Sequence, residues 1–93
     1  MKNFKIFTIA GGFYFFGEEI NAPEGFVSLT NASMFRKFGG GKGLPGVASN
    51  RDGATVHLDQ FDKDETLTFP LSAVYAILPS KNLYEFKGTT LNG

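Results

Sequence analysis

Four basic side chains, Arg36, Lys37, Lys42 and Arg51, fall within one glycine-rich stretch, MFRKFGGGKGLPGVASNRDG, which holds no acid before Asp52. Cations set among glycines suit phosphate: glycine lets the backbone approach a ligand closely, and lysine and arginine supply the charge. A Walker-type loop needs a glycine, four residues, then Gly-Lys-Ser/Thr entering a helix. Here Gly41-Lys42 is followed by Gly43, and the position five before Gly41 is Arg36. No hydroxyl is placed for a metal, and Leu44-Pro45-Gly46 is a poor helix start. Two readings stay open. The stretch is a slack strand connection with solvating charges, or its cations form a phosphate-contacting patch whose affinity falls with salt.

Other groups point less far. His57 is the single histidine and lies two positions from Asp59, so on a strand the two share a face. Such a pair can act as a base, but no nucleophile motif accompanies it, and the expectation is a protein that is not an enzyme. The acids of DQFDKDE lack the glycine and the spacing of a calcium loop and read as a solvated turn. No metal or cofactor is expected. With no cysteine there is no disulfide framework and no thiolate zinc site, which fits a reducing, cytoplasmic setting. Nine basic and nine acidic residues balance, so attraction to nucleic acid or to an anionic membrane must be local.

Those side chains need a scaffold, and the patterning is that of strands. FKIFTIA and FYFFGEEI flank the turn pair Gly11-Gly12 and read as a hairpin. FVSLTNA alternates Val27 and Leu29 against Ser28 and Thr30, and ATVHLDQF alternates Val56 and Leu58 against His57 and Asp59. TLTFPLSAVYAILP is the fifth strand, broken by Pro70, which argues for an edge or a bend. The apolar run at residues 7–16 is too short to span a bilayer, and Lys5, Glu18 and Glu19 flank it without a small-residue cleavage site, so it reads neither as a signal peptide nor as a membrane span. Phe13, Tyr14, Phe15 and Phe16 alternate faces, dividing between core and contact or base-stacking surfaces. Five strongly bent strands in 93 residues predict an all-β, small open barrel with free edges. Pairing those edges with further copies removes an aggregation hazard and enlarges the core. A head-to-tail contact whose rotation closes gives a ring.

The order of these segments resembles the Sm-like proteins, the family that includes bacterial Hfq. IFTIAGGFYFFGEEI, with Gly12 and Gly17, is similar to the first Sm motif, and VSLTNA sits where that motif's third strand runs. FPLSAVYAILPS, closing on Pro79-Ser80, is similar to the last strand of Hfq-type members. The resemblance covers most of residues 6–80 and implies a ring, pentamer to heptamer, in which the fourth and fifth strands of adjacent subunits pair. On this chain that assigns Phe69, Leu71, Tyr75 and Ile77 to the subunit interface. It implies RNA as partner, with Asn21 the one candidate for the base pocket beside Arg36, Lys37, Lys42 and Arg51. Departures are clear. Phe26 falls near the pocket asparagine, the Tyr-Lys-His places read Pro70, Leu71 and Ser72, and the arginine-glycine signature and N-terminal helix are missing.

The expectation is therefore a single barrel domain over residues 1–80, with a long glycine-rich loop at 36–53 and a loosely held tail at 81–93. Its leading function is RNA binding by a non-enzymatic ring. The alternatives are a phage-type assembly or protein-binding ring, and a nucleotide-type small-molecule binder at the subunit junctions.

Overall fold

The computed structural model describes residues 3–40 and 43–91. Among the described residues seven strands form one sheet: β1 (Phe4–Ile9), β2 (Phe13–Ile20), β3 (Phe26–Gly39), β4 (Thr55–Gln60), β5 (Thr66–Pro70), β6 (Val74–Pro79) and β7 (Thr89–Leu91). A short helix, α1 (Gly43–Ala48), lies between β3 and β4. Single 3-10 turns occupy Leu71–Ala73 and Leu83–Glu85. The strand order is β6-β1-β2-β3-β4-β7, with β5 also on β3, and the sheet does not close.

The all-β expectation holds, but the count of five strands becomes seven. One added strand comes from the break at Pro70. Proline has no amide hydrogen for a ladder, so the chain leaves β5, makes the Leu71–Ala73 turn and resumes as β6 against β1. The other, β7, comes from the C-terminal segment and runs parallel to β4.

Strand β3 is the frame. One side pairs with β2 from Ser28 to Met34. The other pairs with β5 at Phe26 to Thr30 and with β4 at Ser33 to Gly39. β4 and β5 thus act as one long partner strand, interrupted by an excursion at residues 61–65. Opposite the interruption, Asn31 takes a left-handed φ of 49°, which asparagine tolerates better than most residues. The Phe61 amide caps the gap by donating to the Ala32 carbonyl at 2.9 Å. Gly17 faces this bend from β2; a Cβ there would lie 3.1 Å from the Ala32 Cα and from the Thr30 carbonyl oxygen.

Strand alternation sends Phe7 and Ile9 of β1 to one face and Phe4 and Ile6 to the other. Each face carries its own core. On the Phe7 face Phe7, Ile9, Val27, Leu29 and Ala32 pack with half-buried Phe15, Leu67 and Phe69. On the Ile6 face Phe4, Ile6, Phe16, Phe35, Val56 and Leu58 are covered by Val47 and Ala48 of α1 and by Leu83 and Phe86.

That second core corrects two expectations. The 36–53 stretch is not one slack loop. β3 continues to Gly39 because Phe35 and half-buried Phe38 pack on the Ile6 face, and α1 follows. Pro45 lies in the first turn of α1, where no amide hydrogen is required, so the Leu44-Pro45-Gly46 sequence does start a helix. Residues 81–91 are not loosely held either. Leu83 is wholly buried, and burying a leucine stabilises by about 1.5–3 kcal/mol. Tyr84 reaches Ser33 and Asn31, and the Lys81 amide donates to the Ala48 carbonyl.

Candidate functional site

The basic residues separate once the sheet is formed. Arg36 is the extra residue of a β-bulge, since the β3-β4 register shifts between Phe35 and Lys37. Its guanidinium forks onto the Asp59 carboxylate, Nη2 to Oδ1 at 2.8 Å and Nε to Oδ2 at 3.4 Å. The Arg36 charge is thus already matched by a neighbouring acid. Lys37 sits opposite His57 in the register. Both point away from the Ile6 core, on the Phe7 side of the sheet beyond the end of its core, and Lys37 is exposed. Asp59 shares their face, but its carboxylate serves Arg36, and no hydrogen bond joins it to His57.

Arg51 belongs to the turn after α1, in the layer on the opposite face of the sheet. Its amide donates to the Gly46 carbonyl at 2.9 Å and its side chain is exposed. Lys42 lies outside the described residues. Asn21 follows β2 at the far end of the frame, just past Ile20, which pairs with Ser28. From Ser28 to Lys37 the strand advances roughly 25 Å, allowing for its bulges, at about 3.3 Å per residue. One copy of the chain therefore offers Lys37, His57 and the Arg36–Asp59 pair as a cluster, with Asn21 and Arg51 elsewhere.

The residues assigned to a subunit contact also divide. Phe69 points into the Phe7 core, its ring 4.9 Å from that of Phe15. Leu71, Tyr75 and Ile77 are exposed to 50 %, 73 % and 39 %. They run along the turn and strand at one end of the sheet. β6 pairs only with β1, and β5 only with β3, so each has a free edge among the described residues. Neither TLTFP nor VYAILP carries a charge. Charged side chains are the usual protection of an exposed edge, and these two edges lack it.

One feature had no signal in the sequence. An apolar groove of about 480 Å³ runs between α1 and the end of β6, lined by Pro45, Ala48, Leu78 and Pro79, with Lys81 at its rim. The acids at residues 62–65 form the expected exposed turn, in which the Asp62 amide donates to the Glu65 carboxylate at 3.1 Å. Among the described residues no group of three or more His, Cys, Asp or Glu side chains could hold a metal ion, and no helix is long and apolar enough to cross a membrane. No family model matches the chain, no curated protein matches it in sequence, and no solved structure matches it.

Proposed function

We propose that this chain is a non-enzymatic assembly module of Sm-like type, whose copies join edge to edge through β5 and β6 and close into a ring. The observation that carries the reading is the pair of uncharged free edges on either side of the Leu71–Ala73 turn, with Leu71, Tyr75 and Ile77 exposed beside them. Unpaired amides and carbonyls next to apolar side chains form a template for another strand. Two different edges used in one contact make it head-to-tail, and a head-to-tail contact closes into a ring when its rotation divides the circle. The molar mass in solution tests this. A multiple of the chain mass that Ile77→Lys reduces to one copy supports the reading; a monomeric wild-type chain at micromolar concentration overturns it.

A second reading, RNA binding by such a ring, has one observation in its favour. Lys37 stands exposed opposite His57 on an open sheet face, and a ring repeats that cation once per copy. Repeated phosphate contacts give affinity that falls steeply with salt. Binding of oligo-adenosine or oligo-uridine at low salt, lost in Lys37→Glu, is the expected result. A ring indifferent to both RNAs leaves the assembly reading alone.

A further inference from the structure

We infer that the groove between α1 and the end of β6 binds a small amphipathic monoanion, an acyl chain ending in a free carboxylate, with its hydrocarbon along the apolar walls and its carboxylate on Lys81. The inference goes beyond the assembly reading and stands whether or not copies of the chain join.

The walls are built before any ligand arrives. Pro45 and Ala48 of α1 face Leu78 and Pro79 of β6 across about 480 Å³, within the range of about 300–1,000 Å³ that small-molecule sites occupy. Two of these four residues are prolines, whose rings fix the backbone beneath them. The Ser80 amide donates to the Phe4 carbonyl at 3.2 Å, which holds the end of β6 to β1. The Lys81 amide donates to the Ala48 carbonyl at 3.0 Å, which joins one wall to the other. Val47 and Ala48 are themselves buried in the Ile6 core, so α1 is held in place above the sheet. A site formed in advance spares the ligand the cost of ordering it.

The polar atoms around the groove select the head group. The chain leaves α1 through Asn50, whose φ is 59°, in a Schellman motif. The Asn50 amide donates to the Val47 carbonyl at 3.0 Å and the Arg51 amide to the Gly46 carbonyl at 2.9 Å. The Ser49 amide and hydroxyl both donate to the Pro45 carbonyl. The Ser80 hydroxyl donates to the Lys81 carbonyl at 2.8 Å. The hydroxyls and loop amides beside the groove are thus spent within the chain. The Lys81 side chain is exposed and makes no ion pair among the described residues. Its ammonium offers three donors and one positive charge, and no acceptor. The complement is an acceptor-only head with one negative charge, which a carboxylate is. A nucleotide finds here neither a second cation nor a nest of free amides for its phosphates.

Octanoate is the probe, titrated into the isotopically labelled full chain and followed by the amide resonances of Ser49, Leu78, Ser80 and Lys81. Saturable shifts centred on these four are expected. Octanoate should bind about five-fold more tightly than 1-octanol, and octylammonium more weakly than either. Hexanoate should bind more weakly than octanoate, by up to about four-fold for each methylene the groove no longer covers. Lys81→Glu should weaken octanoate about ten-fold at about 50 mM salt, much less at about 500 mM, and leave 1-octanol unchanged. Ser49→Phe, which fills the groove from an exposed position, should weaken both ligands, with circular dichroism confirming that each variant is folded. Octanoate shifts that do not saturate, or that centre elsewhere on the sheet, overturn the site. Octylammonium binding as tightly as octanoate, or an octanoate affinity indifferent to Lys81→Glu at low salt, overturns the assignment of the head group to Lys81.

Discussion

The Tyr84 hydroxyl donates to the Asn31 carbonyl at 2.7 Å and lies 2.9 Å from the Ser33 Oγ. One side chain near the end of the chain thus ties both residues at the bend of β3. Ser33 is fully buried, so its hydroxyl has no water to turn to. The Tyr84 ring also packs edge-on against Phe16 and Phe4.

Tyr84→Phe keeps the ring and removes the hydroxyl. It leaves the Asn31 carbonyl and the Ser33 hydroxyl without this partner, a loss of about 1–3 kcal/mol. Denaturant unfolding of the two proteins at neutral pH measures it, as a lower midpoint with an unchanged slope.

The same pair predicts a pH dependence. Burial raises the Tyr84 hydroxyl above its ordinary 10.0; the Ser33 hydrogen bond opposes this and the negative charge of Glu18 adds to it. The folded state therefore holds this proton more tightly than the unfolded state. The associated stability is fully present below pH 10 and is lost as pH rises through the folded value. Wild type is expected to lose stability more steeply than Tyr84→Phe in alkaline titration above pH 10.

Leu83→Ala removes a wholly buried side chain from the Ile6 core. A cost of about 2–5 kcal/mol is expected, a large share of the stability of a chain this size. Thermal denaturation reads it directly. A freely moving tail would show almost no change.

Gly40 has φ +75°, and a Cβ there would lie 2.0 Å from the Gly53 carbonyl oxygen. Gly40→Ala must shift the backbone where β3 hands over to the helical segment, and a loss of at least about 2 kcal/mol is expected. Gly12→Ala is the control. Its φ of +83° costs strain, but nothing lies within 4 Å of the new methyl, so its penalty should be the smaller of the two by equilibrium unfolding.

Strand β4 could be read from the sequence because it keeps strict alternation over its whole length, and β1 and β2 because β-forming residues crowd both sides of the Gly11-Gly12 turn. β3 could not be read past Ala32. Its apolar residues change face at Asn31, from Val27 and Leu29 on one side to Phe35 on the other, and the Arg36 bulge shifts them again. A period-two pattern interrupted twice looks like its own end. The C-terminal segment was missed for another reason. Leu83 and Phe86 are sparse among polar residues, and their burial depends on a sheet face created by strands far away in the chain. The cationic residues of the candidate site were visible. The claim of Asp59 on Arg36 was not, because it joins positions 23 residues apart through a cross-strand register.

β1, β2 and β3 each give side chains to both cores: Ile6 and Phe7 from the first, Phe16 and half-buried Phe15 from the second, Phe35 and Leu29 from the third. No plane divides the molecule into a half that could open while the other stays shut. Heat or denaturant should therefore find one cooperative transition, with fluorescence from Tyr14 and Tyr84 on the Ile6 side and backbone dichroism melting together. Amides of β1 and β2 should exchange with solvent only through that global event. The sheet is thin enough to be wetted from both sides, and it persists because neither layer can leave without the other.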